Sequence, residues 1–448
     1  MIRRIVYMIN IERSVERRIK RANTDWWINE KAIVADNGKT YIAYCTDMGE
    51  IHIKEVDAKC SKAASIDVRI CKLNCCYPDE HNAPSICVLE SGHIMVAYTG
   101  HGSSNVLKFR ITEKPYDLLS FGPEQHLEYD NTVTYAQLFE NTIRGELWLF
   151  TRIGGITWGI RTSSDMGKTW SDPVIFLSVN LEVSKLGGLF YIDIRKLYLP
   201  TNVGHTERWF FALYGHPHNP VEHVIRSGLF DFNGNLLNMK DEVQDMKLFG
   251  EKHLLDLNSL DVVYRAPEGE TVRLLDVSPT PPYRVAFSPF VVREPDTLYY
   301  RSATYHHGAW HLSEPICTGG EFLAPADQKD GSETYVGGMA YYYGIGLYQQ
   351  GGANRRFIDT DRLYIARFDG KDRVLESYIS EDYGATYHLE QVIRRIPGTG
   401  KANDTKIWRP VVPIHAQDNM PVYWHEGYYG AHTGGWHCDT VMYVEFDD

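Results

Sequence analysis

The segment SICVLESGHIMVAY at residues 85–98 predicts a strand, a Ser91-Gly92 turn and a returning strand. Asp79-Glu80-His81-Asn82-Ala83-Pro84 precedes it, and Thr99-Gly100-His101-Gly102 follows it. A hairpin brings its two outer ends to the same place, because the two strands are antiparallel and of similar length. We therefore expect His81 and His101 to lie close together in space.

The same pattern of an apolar strand, a Gly or Asp turn and a Tyr-rich second strand recurs along the chain. The first strands of these units are predicted to start near Ala32, Ser85, Ala136, Trp209, Tyr283, Gly337 and Arg409. The starts are 51 to 74 residues apart, a spacing that fits propeller blades of four strands with insertions. The pattern predicts an all-β chain folded as a seven-bladed β-propeller, with one domain over residues 31–448.

Residues 1–30 are predicted to form an N-terminal extension. Within it, Ile11, Val15 and Ile19 recur at four-residue spacing amid charged residues, which predicts a short surface helix that packs on the propeller.

Composition narrows the function classes. The 448 residues include 29 Tyr, 10 Trp and 37 Gly and carry a net charge of −12. That charge argues against nucleic acid or an anionic membrane as a partner, because both need a basic surface. The first residues lack the apolar run of a secretory signal, and no run of 18 apolar residues occurs, so we expect a cytoplasmic protein, or a secreted one if the natural chain is longer.

Six of the eight cysteines lie before residue 90, and this uneven distribution is not typical of a disulfide framework. The cluster Cys71-x3-Cys75-Cys76 predicts buried thiols, with a metal site as the alternative.

Two segments share an S-x-D-x-G-x-T-aromatic pattern. They are Ser163-Ser164-Asp165-Met166-Gly167-Lys168-Thr169-Trp170 and Ser380-Glu381-Asp382-Tyr383-Gly384-Ala385-Thr386-Tyr387. In such a turn the Asp accepts amide hydrogens, the Gly supplies a positive φ and the aromatic ring packs between strands. These segments resemble the Asp-box of sialidase-like propellers, which is a structural element of an outer hairpin and does not define a reaction.

Polar side chains also recur at the ends of strands in neighbouring units. In a propeller these ends meet at one mouth of the central channel, where ligands bind. Six side chains are predicted to share that rim: His81 and His101 of the second unit, Tyr135 and Arg152 at the matching places of the third, and Tyr214 and His216 of the fourth.

This set of residues fits elimination better than hydrolysis. The planar fork of Arg152 suits a carboxylate, and Tyr135 can exchange a proton near positive charge. No Asp/Glu pair, which the usual glycoside hydrolysis needs, is evident among these residues. Neutralising the carboxylate of a uronic acid acidifies its C5 proton, so that a base can remove it while an acid protonates the departing O4.

The chain resembles the BNR-4 family of seven-bladed propellers, which includes ulvan lyases and related rhamnose-glucuronate lyases. The resemblance rests on the segments around His81 and His101, on Tyr135 and Arg152, on the Asp-box at Ser163 and on Trp408-Arg409-Pro410-Val411. The resemblance implies that His81, His101, Tyr135 and Arg152 are catalytic. Tyr135 would be the base, or else His81 the base and Tyr135 the acid.

The resemblance also implies substrate-binding residues and partners. The expected substrate-binding residues are Asn82, Arg161, Tyr214 and His216. The expected partner is an acidic oligosaccharide or polysaccharide. No cofactor is expected in catalysis, although some relatives carry a structural calcium or zinc ion.

Two other function classes fit a propeller. A sialidase-like hydrolase needs an arginine triad, which Arg152, Arg226, Arg284 and Arg409 could supply, and an unusual rhamnosidase could use histidine. A non-catalytic glycan-binding propeller could stack its many tyrosines on sugar rings.

Overall fold

The computed structural model of the chain describes residues 11, 14–24, 31–56, 65–71, 79–178, 190–201, 204–215, 223–279, 281–291, 297–323, 334–336, 338–341, 361–399, 404–416, 422–431 and 435–445. These ranges hold 34 strands and the 3-10 helices Glu80–Asn82, Leu118–Ser120 and Leu257–Ser259. No helix in this described part is long and apolar enough to cross a membrane.

Seven sheets of four to six strands form the blades of a β-propeller, which confirms the predicted fold. The first strand, β1 (Ser14–Ile19), belongs to the last blade. Blade 1 comprises β2 (Ala22–Asn23), β3 (Ala32–Val34), β4 (Thr40–Thr46), β5 (Ile51–Val56) and β6 (Asp67–Arg69). Blade 2 comprises β7 (Ser85–Val88), β8 (Ile94–Tyr98), β9 (Val106–Ile111) and β10 (Gln125–Glu128), and blade 3 comprises β11 (Val133–Asn141), β12 (Glu146–Ile153), β13 (Thr157–Ser163) and β14 (Val174–Ser178).

The second half of the ring carries the larger blades. Blade 4 comprises β15 (Phe190–Thr201), β16 (Gly204–Gly215), β17 (Val224–Asp231), β18 (Asn235–Leu237), β19 (Val243–Lys247) and β20 (Asp261–Arg265). Blade 5 comprises β21 (Thr271–Ser278), β22 (Arg284–Phe290), β23 (Tyr299–His306), β24 (Ala309–Leu312) and β25 (Cys317–Thr318), and it is followed by a small hairpin of β26 (Glu321–Leu323) and β27 (Thr334–Val336). Blade 6 comprises β28 (Gly338–Tyr341), β29 (Asp361–Phe368), β30 (Asp372–Ser380) and β31 (His388–Pro397), and blade 7 comprises β32 (Lys406–Val411), β33 (Tyr423–Ala431) and β34 (Gly435–Glu445).

The N-terminal segment completes blade 7. Strand β1 pairs antiparallel with β34, with Ser14 opposite Glu445 and Ile19 opposite Thr440. The predicted helix is therefore wrong for Ser14–Ile19. Val15 and Ile19 lie on a strand because the edge of β34 supplies the backbone partners that an isolated segment lacks.

Two predicted blade starts were also wrong. Trp209 lies in β16 and Tyr283 directly precedes β22, and both of these are the second strands of their blades. The first strands are β15 and β21. Their sequences FYIDIRKLYLPT and TVRLLDVS mix charged residues into an apolar pattern, which hides them from a search for apolar runs.

Aromatic side chains fill the space between blades. Trp148 of blade 3 stacks on Trp209 of blade 4 with ring centroids 4.4 Å apart, and both residues are fully buried. Gln137 of β11 exchanges hydrogen bonds of 2.9 Å with the backbone of Ile192 and Ile194 in β15. Such contacts fix the position of each first strand, and with it the residues at the channel mouth.

Both Asp-boxes adopt the predicted turn between the outer strands of blades 3 and 6. Asp165 accepts hydrogen bonds from the Thr169 amide at 2.9 Å and the Thr169 hydroxyl at 2.7 Å, and Gly167 has φ +83°. The hydrogen bonds from Thr169 lower the pKa of Asp165 to about 2. Asp382 accepts equivalent bonds from Thr386, so both motifs are structural.

The cysteines differ from the prediction at one position. Cys71 is disulfide-bonded, and its partner lies outside the described residues, as do Cys75 and Cys76. A disulfide sulfur cannot act as a thiolate ligand, so neither the free thiol nor the metal-site alternative holds for Cys71. Cys45, Cys87, Cys317 and Cys438 are free.

Candidate functional site

The hairpin of β7 and β8 brings His81 and His101 together as predicted. Their imidazole rings stack with centroids 3.9 Å apart and planes 7° apart. Asp79 bridges them, because its Oδ1 lies 2.5 Å from His81 Nδ1 and its Oδ2 lies 3.0 Å from His101 Nδ1. One buried carboxylate thus contacts the same ring nitrogen of both histidines.

Local backbone structure holds this group in place. The Asp79 Oδ1 atom also accepts the His81 amide at 2.9 Å, and the Asp79 carbonyl accepts the Asn82 amide at 3.0 Å, which forms a tight turn before β7. On the other side, the Gly102 amide donates to the Thr134 hydroxyl at 2.9 Å. The loop that carries His101 is therefore attached to blade 3.

Tyr135 and Arg152 lie beside the histidine pair. The Tyr135 ring is 6.1 Å from the His81 ring and 6.3 Å from the His101 ring, and the Arg152 guanidinium lies over Tyr135, 4.5 Å from its centroid. Tyr135 sits at a β-bulge between β11 and β12 and has φ +58°, which is rare for a bulky residue. Such a strained backbone is held only where surrounding contacts determine it, and the bulge turns the ring toward the site.

The guanidinium of Arg152 is buried, and two of its nitrogen atoms can still donate hydrogen bonds. Its Nε and Nη1 atoms meet no hydrogen-bond acceptor among the described residues. Burial would lower the pKa of Arg152, but Tyr135 and Tyr191 keep it above the ordinary value, so the group stays charged. A buried cation with two such donors suits a bound carboxylate.

The directions of the pKa shifts indicate the charge states of Asp79 and Tyr135. Burial alone would raise the pKa of Asp79, but the charges and hydrogen bonds of His81 and His101 hold it well below the usual value. Burial raises the pKa of Tyr135 well above its ordinary value, although Arg152 opposes the shift. The site therefore holds an ionised Asp79 and a protonated Tyr135 at neutral pH.

The predicted substrate-binding residues differ in where the structure places them. Tyr214 is buried and stacks on Tyr191, 5.5 Å between centroids, and Tyr191 in turn lies 6.0 Å from Tyr135. Asn82 is buried in the turn that holds His81. Both therefore adjoin the site, while His216 lies outside the described residues.

Arg161 contacts the backbone of two blades. It donates to the backbone carbonyls of Ser171 at 2.9 Å and Glu128 at 2.5 Å, and its guanidinium lies 4.4 Å from the centroid of Tyr129. These contacts connect blades 2 and 3, and substrate binding by Arg161 stays a prediction.

Asp79, His81 and His101 are also the described residues whose ligand-type atoms cluster closely enough to be considered for a metal ion. Their geometry does not fit the calcium or zinc ion that the resemblance implies. Both Nδ1 atoms already face the carboxylate, and the lone pairs on the Nε2 atoms of two parallel rings do not converge on one point. The three residues satisfy one another instead.

Residues 39–206 match the profile described as a BNR repeat-containing family member, a range that includes the histidine pair, Tyr135 and Arg152. The resemblance to the BNR-4 family is confirmed over this range. An ulvan lyase of Alteromonas sp. (strain LOR) is 29% identical over 114 residues, covering 22% of this chain and 23% of that protein. An ulvan lyase of Nonlabens ulvanivorans is also 29% identical over 114 residues, covering 22% of this chain and 24% of the relative. This chain therefore matches about a quarter of the length of these relatives.

A solved structure described as a polysaccharide lyase of family PL25, an ulvan lyase, shares the fold over nearly the whole chain. The two superpose with a TM-score of 0.60 at 15% identity, covering 96% of each chain. The same enzyme bound to -[GlcA(1-4)Rha3S]- superposes with a TM-score of 0.61, again at 15% identity and 96% coverage of each chain. These likenesses show that the propeller fold extends over nearly the whole chain.

Sequence reasoning missed Asp79 and Tyr191. Asp79 stood in the quoted motif, but nothing in the linear sequence shows that one carboxylate reaches both histidines. Tyr191 could have been found, because it lies near the start of β15 as Tyr135 lies near the start of β11. The wrong first strand in unit four hid that equivalence.

Proposed function

We propose that this protein is a β-eliminating lyase that cleaves the glycosidic bond at O4 of a uronic acid in an acidic oligosaccharide or polysaccharide. The observation that carries the proposal is the buried Arg152, with two donors that meet no described acceptor, beside Tyr135 and the histidine pair. A carboxylate is the natural partner of such a guanidinium. Neutralising the substrate carboxylate makes the C5 proton removable.

The proposed step uses three side chains. Arg152 binds the uronate carboxylate, and one imidazole of the pair removes the C5 proton. The electrons of that C–H bond form the C4=C5 double bond as the C4–O4 bond breaks, and the Tyr135 hydroxyl gives its proton to O4. The tyrosinate that forms lies next to Arg152, 4.5 Å from ring centroid to guanidinium carbon, which stabilises its charge.

The raised pKa of Tyr135 supports this assignment over Tyr135 as the base. A phenol that holds its proton at neutral pH can act as an acid. A neutral imidazole can accept a proton at the same pH, so the two groups complement each other.

The carboxylate that the described residues bring to the histidine pair argues against a glycoside hydrolase. Hydrolysis by the usual route needs two carboxyl groups, one of them protonated or nucleophilic. Among the described residues near the pair, Asp79 supplies one carboxylate, and its low pKa and two histidine contacts leave it ionised and occupied.

The relatives support a narrower substrate class. Two relatives are ulvan lyases, and the solved lyase structure with the same fold carries a glucuronate linked to a sulfated rhamnose. We propose that this protein acts on glucuronate or iduronate, with rhamnose as a neighbouring sugar. The net charge of −12 supports a partner that is neither nucleic acid nor membrane.

We further propose that the elimination itself needs no metal ion, because the side chains named above supply the base, the acid and the carboxylate partner. A structural calcium or zinc ion elsewhere in the protein stays a prediction. The cytoplasmic location also stays a prediction, and the Cys71 disulfide argues for an oxidising compartment instead.

Ultraviolet absorbance tests the proposal directly. Oligosaccharides with 4-linked glucuronate are incubated with the protein, and we expect absorbance to grow as the conjugated C4=C5 double bond forms. Reducing sugar released without that absorbance would mean hydrolysis. Binding without any bond cleavage would mean a glycan-binding propeller, and either result overturns the lyase proposal.

A further inference from the structure

The contacts of Asp79 fix the protonation of both Nδ1 atoms. An ionised carboxylate can accept hydrogen bonds but cannot donate them. Since Oδ1 faces His81 Nδ1 and Oδ2 faces His101 Nδ1, both of these nitrogens carry hydrogen. Any further proton on the pair must therefore bind at Nε2 of one ring or the other.

The stacking of the rings limits how many further protons the pair can hold. Two imidazolium ions with parallel planes and centroids 3.9 Å apart repel each other strongly inside a protein. The single negative charge of Asp79 balances one of them. The neighbouring Tyr135 and Arg152 do not favour a second imidazolium, because Tyr135 is neutral and Arg152 is a cation.

The two histidines are not equivalent toward the carboxylate. His81 lies 2.5 Å from Oδ1, whereas His101 lies 3.0 Å from Oδ2, and short contacts are typical of hydrogen bonds between two charged groups. The His81 side chain is 7% exposed and the His101 side chain is 32% exposed. The shorter contact favours the positive charge on His81 and outweighs the burial that opposes a charge there.

We propose that Asp79 makes the pair a unit that carries one positive charge, with His81 as the imidazolium and His101 as the neutral base of the reaction. His81 then helps Arg152 to neutralise the uronate carboxylate, and Nε2 of His101 takes the C5 proton. Asp79 is a positioning residue, because it acts through the two imidazoles. The role in catalysis rests on the proposed function, whereas the placement of the proton does not.

Nitrogen NMR tests the placement of the proton without substrate. The protein is labelled with ¹⁵N-histidine, and the two rings are assigned from the signals lost in His81→Gln and His101→Gln. Near neutral pH we expect His81 to show two protonated nitrogens and His101 to show a protonated Nδ1 and a bare Nε2. Two neutral rings, two charged rings, or the charge on His101 would each overturn the inference.

Substitution of Asp79 adds a second readout. In Asp79→Asn we expect His81 to lose its extra proton at neutral pH and kcat/KM for uronate oligosaccharides to fall on the order of 10²- to 10⁴-fold. Asp79→Glu keeps the negative charge, so it should restore part of the extra proton on His81 and part of kcat/KM. Asp165→Asn in the Asp-box is the matched control and should leave the histidine signals unchanged. Unchanged histidine signals in Asp79→Asn would overturn the role of Asp79.

The two proposals can fail separately. If the NMR pattern is as expected but no double bond forms from any uronate substrate, the lyase function is wrong and the charged pair stands. If the protein is a lyase and both imidazoles are neutral in the wild type, the lyase function stands and the charged pair is wrong.

Discussion

The chain contains two stacked histidine pairs that differ in their surroundings. His81 and His101 stack at 3.9 Å and 7° at the two outer ends of the β7–β8 hairpin. His306 and His311 stack at 3.8 Å and 17° on the outer hairpin of β23 and β24 in blade 5. In the first pair one buried carboxylate contacts the Nδ1 atoms of both rings, whereas no carboxylate in the described part of the chain hydrogen-bonds to either member of the second.

The presence or absence of the carboxylate changes the charge that each histidine pair can hold. In the first pair the carboxylate of Asp79 keeps its negative charge and favours a proton on the histidines. In the second pair, burial and the neighbouring charges of His311 and His307 lower the pKa of His306. Stacking alone therefore does not set the charge of a histidine pair, because the carboxylate that contacts both Nδ1 atoms is present in the first pair only.

The largest expected difference between the pairs is in turnover. His101→Ala removes the proposed base, so we expect kcat for a uronate oligosaccharide to fall on the order of 10²- to 10⁴-fold while the protein stays folded. His311→Ala is the matched control, since it removes one ring from the other stack. Initial rates from double-bond absorbance, with circular dichroism as the fold check, measure both. Equal rates in the two variants would remove the histidine pair from the mechanism.

A smaller effect is expected from the cation beside the first pair. Arg152→Lys keeps the charge but loses the planar fork that binds both carboxylate oxygens, so KM should rise and kcat/KM should fall about 10- to 100-fold. Arg161→Lys is the control in the same blade, because Arg161 also lies over a tyrosine but donates to backbone carbonyls. It should lower the melting temperature and leave KM unchanged. A normal KM in Arg152→Lys would contradict carboxylate binding by Arg152.

Local patterns were enough to predict the propeller and the first histidine pair. The hairpin at residues 85–98 has its turn and both strands within one short segment, and the Asp-boxes form from hydrogen bonds within eight residues. Tyr135 and Arg152 followed because the third unit repeats the second. Features that depend on neighbours in sequence, or on repetition, are visible in one sequence.

Features that depend on distant partners were not predicted. Strand β1 is a strand because it pairs with β34 at the other end of the chain, although its apolar spacing alone favours a helix. Asp79 and Tyr191 became visible only when the side chains were placed, since their roles come from burial and from rings of other strands. Arg161 was predicted to bind substrate, and the backbone carbonyls to which it donates could not be read from the sequence.

The smallest expected effect concerns the acid sensitivity of the second pair. Burial and nearby histidine charge lower the pKa of His306 in the folded protein, whereas the unfolded residue titrates near its ordinary value of about 6.5. Below that pH the unfolded state binds more protons than the folded state, so folding stability falls as the pH drops. His306→Gln removes this loss, and its melting temperature should decrease less than that of the wild type between pH 7.5 and 5.5, values chosen to lie about one unit on either side of the unfolded pKa. The shift should be small because His306 is only partly buried. Thermal unfolding at the two pH values measures it, and an equal decrease in both proteins would show that protonation of His306 does not destabilise the fold.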